Sequence, residues 1–349
     1  MKILRFCPLF LGVVLGATTV VAQTPPAAPG SIKVIFDTDF AIPPQDDGMA
    51  LILALKSPEL DILGVTTVAG NFNLQRALSD VCYELELAGR SDIPVYAGAN
   101  RPLVRVATDW WKTQHGGWWS DAPPPMPPGG FAKNKQPEKE SAVDFMIRTV
   151  NANPGQVTII AIGPLTNVAT AIRQDPQFAH NVKKIQIMGG AFARFSDGGG
   201  NMTPNAEFNI LVDPEAAWTV LHSGISQEYN PLNVGRKVKF TKKYYDEMIS
   251  GGTPLGNLIK ERIGPAFEKD PNRAGGVNDQ LTVGSLVDET LVKTTDLYVE
   301  IDINHGPDYG TTLGMTKQWE GGENAVLVPV QLDVDSDRFM QMFADRVRR

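Results

Sequence analysis

The feature of the sequence that most constrains its fold is a regular alternation of short apolar segments with segments of helical character. Runs that fit buried strands occupy 32–36, 62–68, 157–162 and 184–188, and helical segments occupy 48–55, 74–88 and 168–173. This alternation is typical of α/β proteins in which crossover helices join parallel strands. It predicts a single α/β domain built on a doubly wound, mostly parallel, Rossmann-like open sheet. Ligands of such sheets bind beyond the carboxyl ends of the strands.

The charge balance limits the classes of partner. The chain has 32 Lys plus Arg against 39 Asp plus Glu, which gives a formal net charge of -7, and it contains no run of basic residues. Nucleic acids and anionic membranes attract basic surfaces, so this balance argues against both as partners. A small neutral molecule or a metal cation fits the composition better.

The N-terminal segment has the pattern of a secretory signal. Lys2 and Arg5 precede an apolar run over 6–21, which ends in small residues at Ala22. Such a pattern is typical of a cleaved signal peptide, and the run is shorter than the roughly 20 apolar residues of a membrane span. We therefore expect residues 1–22 to be removed near Ala22 and residues 23–349 to be a secreted or periplasmic domain without a membrane anchor.

Four carboxylates gather around the first strand and the helix that follows it. Asp37 and Asp39 close the strand, and Asp46 and Asp47 open the helix after the loop 40–45. Carboxylates at such close spacing repel one another unless they are protonated or neutralised, and a hard cation such as Ca²⁺ or Mg²⁺ neutralises them well. The pattern predicts a divalent metal site. The alternative from local structure is that the second pair caps the helix while Asp39 makes an Asx turn.

Side-chain amides and a further acid follow later strands. Asn71 ends the segment after the second strand, and the strand that ends at Ile162 leads into a turn whose carbonyl groups can bind a cation. The segment 200–209 adds the three polar residues Asn201, Glu207 and Asn209. Amides together with a carboxylate are suited to binding sugar hydroxyls. The sequence thus predicts a polar cleft at the carboxyl edge of the sheet.

These segments together resemble the calcium-dependent nucleoside hydrolases of the inosine-uridine-preferring type. The resemblance covers most of the mature chain and rests on five blocks that occur in order: Asp37-Thr38-Asp39 with Asp46-Asp47, Thr67-Val68-Ala69-Gly70-Asn71, Gly163-Pro164-Leu165-Thr166-Asn167, Met188-Gly189-Gly190 leading to 201–216, and Asn278-Asp279-Gln280-Leu281. It implies a nucleoside-hydrolase-like fold. It also implies hydrolysis of the N-glycosidic bond of ribonucleosides to a free base and ribose, as in nucleoside salvage.

The resemblance further implies a set of site residues. A Ca²⁺ ion would be held by Asp39, Asp47, Asp279 and the backbone carbonyl of Ile162, with Asp37 as a supporting acid and Mg²⁺ as the less favoured ion. Asp39 would act as general base towards the attacking water. The ribose-binding set would be Asp46, Asn71, Asn201, Glu207 and Asn209.

Two departures from the family pattern concern this site. The loop 40–45 is longer than the usual linker between the two pairs of acids, which predicts a bulged loop rather than a lost site. Many family members carry His directly before the late Asp, whereas this chain has Asn278, and an Asn side chain cannot act as a general acid. Asn278 is therefore kept as a substrate-binding candidate, and the leaving base must be activated in another way.

Residues 109–138 form a Trp- and Pro-rich interruption of the α/β rhythm, interpreted as an active-site loop. His115 resembles a His of the family's active-site loop and is the candidate for contacting the leaving base. Trp118 and Trp119, or Trp110 and Trp111, could stack on that base.

Three other functions compete with nucleoside hydrolysis. A haloacid-dehalogenase-like phosphohydrolase also has Asp-x-Asp after its first strand, but it leaves Asp46, Asp47 and Glu207 without a role. A non-catalytic periplasmic nucleoside- or sugar-binding protein would keep the cleft, and the loss of His at Asn278 favours it. Hydrolysis of another N-riboside is the third. The sequence is compatible with a homo-oligomer.

Overall fold

The computed structural model describes residues 30–115, 132–195 and 199–349. In this part of the chain the strands are β1 (Ile32–Thr38), β2 (Leu60–Thr67), β3 (Val95–Ala97), β4 (Val157–Ala161), β5 (Lys184–Met188), β6 (Gln227–Asn230), β7 (Val292–Ile301), β8 (Thr312–Met315) and β9 (Val326–Val334). They form one sheet in the order β3-β2-β1-β4-β5-β6-β9-β7-β8. The first six strands and β9 pair in parallel, and only β7 runs against its neighbours. The predicted mostly parallel α/β sheet is confirmed.

Helices connect these strands. Their bounds are α1 (Asp46–Leu55), α2 (Leu74–Leu87), α3 (Asp109–His115), α4 (Ala142–Ala152), α5 (Thr166–Gln174), α6 (Pro176–Asn181), α7 (Phe208–Val212), α8 (Pro214–Leu221), α9 (Leu232–Gly235), α10 (Lys242–Ile249), α11 (Pro254–Lys269), α12 (Asp279–Val287) and α13 (Ser336–Val347). The seven strands and helices predicted from the sequence lie within about two residues of these bounds, which is the usual uncertainty at element ends. The helices α7 and α12, which carry Asn209 and Asp279, were not predicted.

The sheet is covered on both faces, as a doubly wound fold requires. One apolar cluster includes residues of α1, α2, α12 and α13, and a second includes residues of α4, α5 and α8. Central strands are buried on both sides, so they consist of nearly continuous apolar runs: β4 is buried at every position from Val157 to Ala161. A strand that is buried on both faces shows no alternation of apolar and polar residues. The short length of these runs was therefore needed as well to predict strands rather than helices.

The order of the strands reverses between β1 and β4, which lie side by side at the centre of the sheet. In open α/β sheets this reversal opens a crevice at the carboxyl edge, where ligands bind. Asp37 lies in the last part of β1, and Ile162 directly follows β4, with its amide bonded to the Asp37 carbonyl at 2.9 Å. The topology thus brings the two most informative sequence segments together.

The segment 109–138 differs in part from the expected irregular loop. Asp109–His115 forms α3, and Trp111 is 2% exposed and packs with Ala206, Leu211 and Val212. This burial of a large aromatic side chain is the reason why the segment is ordered as a helix there. Trp118 and Trp119 lie outside the described residues, as does the side chain of His115.

No helix within the three described ranges is long and apolar enough to cross a bilayer. The proposed signal peptide, residues 1–22, lies outside these ranges.

Candidate active site

A cavity of about 260 Å³ lies at the carboxyl edge of the sheet, beside the β1–β4 crevice. Its lining includes nine residues that the sequence predicted for the site: Asp46, Asp47, Asn71, Ile162, Asn201, Glu207, Asn209, Asn278 and Asp279. These residues come from five separate segments of the chain. The structure brings them together in one place.

Asp39 is fully buried directly after β1 and is not among the residues that line the cavity. Its Oδ2 atom accepts a hydrogen bond from the backbone amide of Asn71 at 2.7 Å. Its Oδ1 atom has no hydrogen-bond partner among the described residues. Burial and the nearby charge of Asp47 raise the pKa of Asp39 well above its usual value. A buried carboxylate with one unpaired oxygen is stable only if it is protonated or bound to a cation.

Two glycines make room for Asp39. A Cβ atom on Gly70 would lie 2.2 Å from Asp39 Oδ2, and a Cβ on Gly163 would lie 2.7 Å from the Asp39 backbone nitrogen. Both distances are well below van der Waals contact. Gly70 and Gly163 therefore allow their backbone segments to approach Asp39 closely. This role was not predicted from the sequence.

Asp47 opens α1 and is held by two donors. Thr38 Oγ1 donates to its Oδ1 atom at 2.5 Å, and Asn71 Nδ2 donates to its Oδ2 atom at 2.8 Å. Burial nevertheless raises the pKa of Asp47 to about 7, and repulsion from Asp46 adds to the increase. Thr38 was not predicted as a site residue, although its position between Asp37 and Asp39 would have been the signal.

Asp37 supports the site from below and does not line the cavity. Its Oδ1 atom accepts hydrogen bonds from Thr66 Oγ1 at 2.6 Å and from Asn167 Nδ2 at 2.8 Å. Burial raises its pKa to about 6, and these two bonds oppose the increase. Its predicted place as a supporting acid agrees with this geometry.

Asp279 stands at the start of α12 and is 5% exposed. Its pKa is raised well above the usual range, first by burial and then by the negative charges of Asp47, Asp46 and Asp39. Among the described residues that line the cavity, every charged side chain is acidic. The site is therefore strongly negative and lacks a built-in counter-charge.

The donors present suit a hard divalent cation, because they are carboxylate and carbonyl oxygens and the carboxylates repel one another. Asp39, Asp47 and Asp279 all face this repulsion, and the Ile162 carbonyl follows β4 at the same edge. Within the described ranges, no three acid, imidazole or thiol groups are already gathered at ligand distance around one point. The fit to a metal thus rests on the chemistry of the donors and on the unpaired Asp39 oxygen.

The remaining polar residues are also fixed by the fold. Glu207 is the N-cap of α7, and its carboxylate accepts hydrogen bonds from the backbone amides of Asn209, Ile210 and Gly190 at 2.9 to 3.1 Å. Asn209 Nδ2 donates to the Ile162 carbonyl at 3.0 Å. Asn201 Oδ1 accepts from the Phe208 amide at 2.9 Å.

Asn278 has a structural task. Its Nδ2 atom donates to Asp46 Oδ2 at 3.0 Å, while its Oδ1 atom is buried and has no partner among the described residues. A Cβ on Gly235 would lie 2.0 Å from that oxygen, so the amide is pressed against a glycine. The structure places Asn278 as a support for Asp46 rather than as a group that is free to protonate a leaving base.

Five lining residues were not predicted: Gln45, Met188, Met202, Phe208 and Leu232. Met188, Met202 and Phe208 lie within the fourth block of the family resemblance, but they gave no separate signal of a site, because apolar side chains are common everywhere in such a chain. Leu232 lies outside all five blocks. Gln45 had a signal, namely its place in the longer loop directly before Asp46.

The chain is similar to known proteins over most of its length. Residues 34–341 match the family described as inosine-uridine preferring nucleoside hydrolase. The pyrimidine-specific ribonucleoside hydrolase RihB of Escherichia coli O157:H7 is 35% identical over 329 residues, which cover 90% of this chain and 97% of that relative.

Solved structures show the same fold. A plant nucleoside hydrolase is 32% identical with a TM-score of 0.75, and the match covers 91% of this chain and 99% of that one. A purine-preferring ribonucleoside hydrolase from Gardnerella vaginalis is 28% identical with a TM-score of 0.74, covering 90% and 98%. These matches leave no place for a haloacid-dehalogenase-like fold. The chain belongs to the inosine-uridine preferring nucleoside hydrolase family and is a metal-dependent enzyme that hydrolyses ribonucleosides to base and ribose.

Proposed function

We propose that this enzyme uses Ca²⁺, bound by Asp39, Asp47, Asp279 and the Ile162 carbonyl, and that it acts on nucleosides outside the cytoplasm. The observation that carries the proposal is the buried Asp39 carboxylate with an unpaired Oδ1 atom beside two further buried acids. An oxygen-only donor set of this kind favours Ca²⁺ or Mg²⁺ over softer metals, and the family resemblance favours Ca²⁺.

When bound, Ca²⁺ would supply the positive charge that keeps these carboxylates ionised and that lowers the pKa of a water molecule beside them. Asp39 Oδ1 then accepts a proton from the water that attacks the anomeric carbon. Asp39 Oδ2 stays on the Asn71 amide, which fixes the direction of the free oxygen. The surrounding negative charge favours the oxocarbenium-like centre that forms as the N-glycosidic bond breaks.

The ribose is oriented by Asp46, Asn71, Asn201, Glu207 and Asn209 in this proposal. Their hydrogen bonds within the protein hold them in place before the substrate arrives, which lowers the entropic cost of binding. Asn278 takes part through Asp46.

In this proposal His115 contacts the leaving base, and Trp118 or Trp119 stacks on the same base. Support comes from Trp111, four residues earlier on α3. Its ring stacks near Phe208, a lining residue of the cavity, with centroids 6.2 Å apart. The helix that ends at His115 therefore runs beside the site.

The first experiment is base release from inosine, adenosine, guanosine, uridine and cytidine by the protein without residues 1–22. We expect hydrolysis with added Ca²⁺, loss of hydrolysis after EDTA, and recovery when Ca²⁺ is returned. Recovery with Mg²⁺ but not with Ca²⁺ would contradict the choice of metal. Binding of nucleosides without any base release would favour a binding protein or another N-riboside as the substrate.

The stability of the metal-free protein should fall as the pH rises from about 4 to about 7. Burial raises the folded-state pKa of Asp37 to about 6 and of Asp47 to about 7, above the ordinary value of 3.8. The folded state therefore holds protons that the unfolded state releases, and deprotonation costs stability. Thermal unfolding in EDTA at about pH 5 and pH 8 measures this effect. Ca²⁺ should raise Tm more at pH 8, and an equal increase at both pH values would argue against carboxylate ligands.

Substitutions at Asp39 and Asn278 should have different effects. Asp39→Ala removes the base and a metal ligand, so we expect kcat to fall by at least about 10²- to 10⁴-fold, the usual contribution of general base catalysis. Asn278→Ala removes a support of Asp46, so activity should decrease but remain measurable. Steady-state kinetics with uridine and inosine tests both. Complete loss of turnover in a folded Asn278→Ala variant would mean that Asn278 acts directly on the substrate.

Export is a separate part of the proposal and rests on the sequence of residues 1–22. Expression of the full chain in a Gram-negative host should give a periplasmic protein whose intact mass corresponds to cleavage near Ala22. An uncleaved protein in the cytoplasm would contradict this localisation.

A further inference from the structure

The cavity has two kinds of lining residue once the metal and ribose contacts are assigned. The assigned residues account for its carboxylates and asparagines. Four of the remaining lining residues are apolar, namely Met188, Met202, Phe208 and Leu232. Among the described lining residues, Gln45 is then the only unassigned one with a side chain that can form strong hydrogen bonds.

Gln45 is free to contact a ligand. It occupies the N-cap position of α1, but its side chain makes no capping hydrogen bond, and the residue is exposed. It directly precedes Asp46, which accepts a hydrogen bond from Asn278, another lining residue of the cavity. A nucleobase has apolar faces and an edge of paired donors and acceptors. Apolar residues suit the faces, and a Gln amide, which has both a donor and an acceptor, suits the edge.

The loop that presents Gln45 is held from inside the protein. Phe40, Ala41 and Ile42 are all less than 10% exposed, and the Gly48 amide donates to the Ala41 carbonyl at 3.0 Å. A Cβ on Gly48 would lie 2.5 Å from Pro43, so the loop folds tightly against the first turn of α1. Residues 40–43 of this loop are therefore packed against the protein.

We propose that Gln45 is a specificity-determining residue that hydrogen-bonds the edge of the leaving base. This inference rests on the proposed function, because it takes the nucleoside to be the occupant of the cavity. It also gives the longer loop a purpose: the added residues bring a polar side chain to the lining of the cavity.

The test compares two leaving groups. Gln45→Ala should lower kcat/KM for uridine and inosine by about three- to tenfold, the loss expected for one hydrogen bond. The same variant should leave kcat/KM for 4-nitrophenyl riboside unchanged, since 4-nitrophenol lacks the paired donor and acceptor of a base edge. Gln75→Ala is the matched control, because Gln75 is an exposed glutamine on α2 outside the cavity. Gln75→Ala should change kcat/KM for neither substrate.

The outcomes separate the inference from the function on which it rests. Equal losses on both substrates in Gln45→Ala, or no loss on nucleosides, would overturn the role of Gln45 while hydrolysis itself stands. Absence of nucleoside hydrolysis in the unmodified enzyme would overturn both.

Discussion

Repulsion among buried carboxylates is the constraint on which the rest of the site depends. Asp39, Asp47 and Asp279 lie within one small region, where burial raises the pKa of each and the charge of a neighbouring carboxylate adds to the increase. Hydrogen-bond donors offset part of this cost at two of the acids. The backbone amide of Asn71 donates to Asp39, and the side-chain amide of Asn71 donates to Asp47. A bound cation would neutralise the repulsion that remains among these carboxylates. The charges that lower the stability of the metal-free protein therefore also provide its affinity for metal.

The fold explains how so many acids can be kept together. β1 and β4 are adjacent and buried on both faces, and the strand order reverses between them. The carboxyl ends of these strands are therefore held by the buried core, while the loops beyond them carry the polar groups. Gly70 and Gly163 let those loops approach the Asp39 backbone and side chain without a clash. Rigid strands and close loops together fix the position of the base before the substrate binds.

Much of this could be predicted from the sequence, since the informative signals are local. Apolar runs predicted the central strands, and acids at strand ends predicted the site, because parallel strands place their carboxyl ends at one edge. The tasks of single side chains could not be predicted. The sequence does not show where the side chain of Asn278 points. Only its hydrogen bond to Asp46 in the structure shows that it acts as a support. α3 was missed because the burial of Trp111 depends on residues almost a hundred positions later in the chain.

The sequence by itself determined the class of fold, the family, and the residues that gather at the carboxyl edge, because each of these depends on short patterns that occur in a fixed order. The tertiary structure decided which atoms are still free. Asp39 keeps one unpaired oxygen, Glu207 uses its carboxylate to cap a helix, and Gln45 reaches the cavity with an unused amide. These distinctions depend on hydrogen bonds between residues far apart in the chain, and such bonds are fixed only when the whole sheet and its loops have packed.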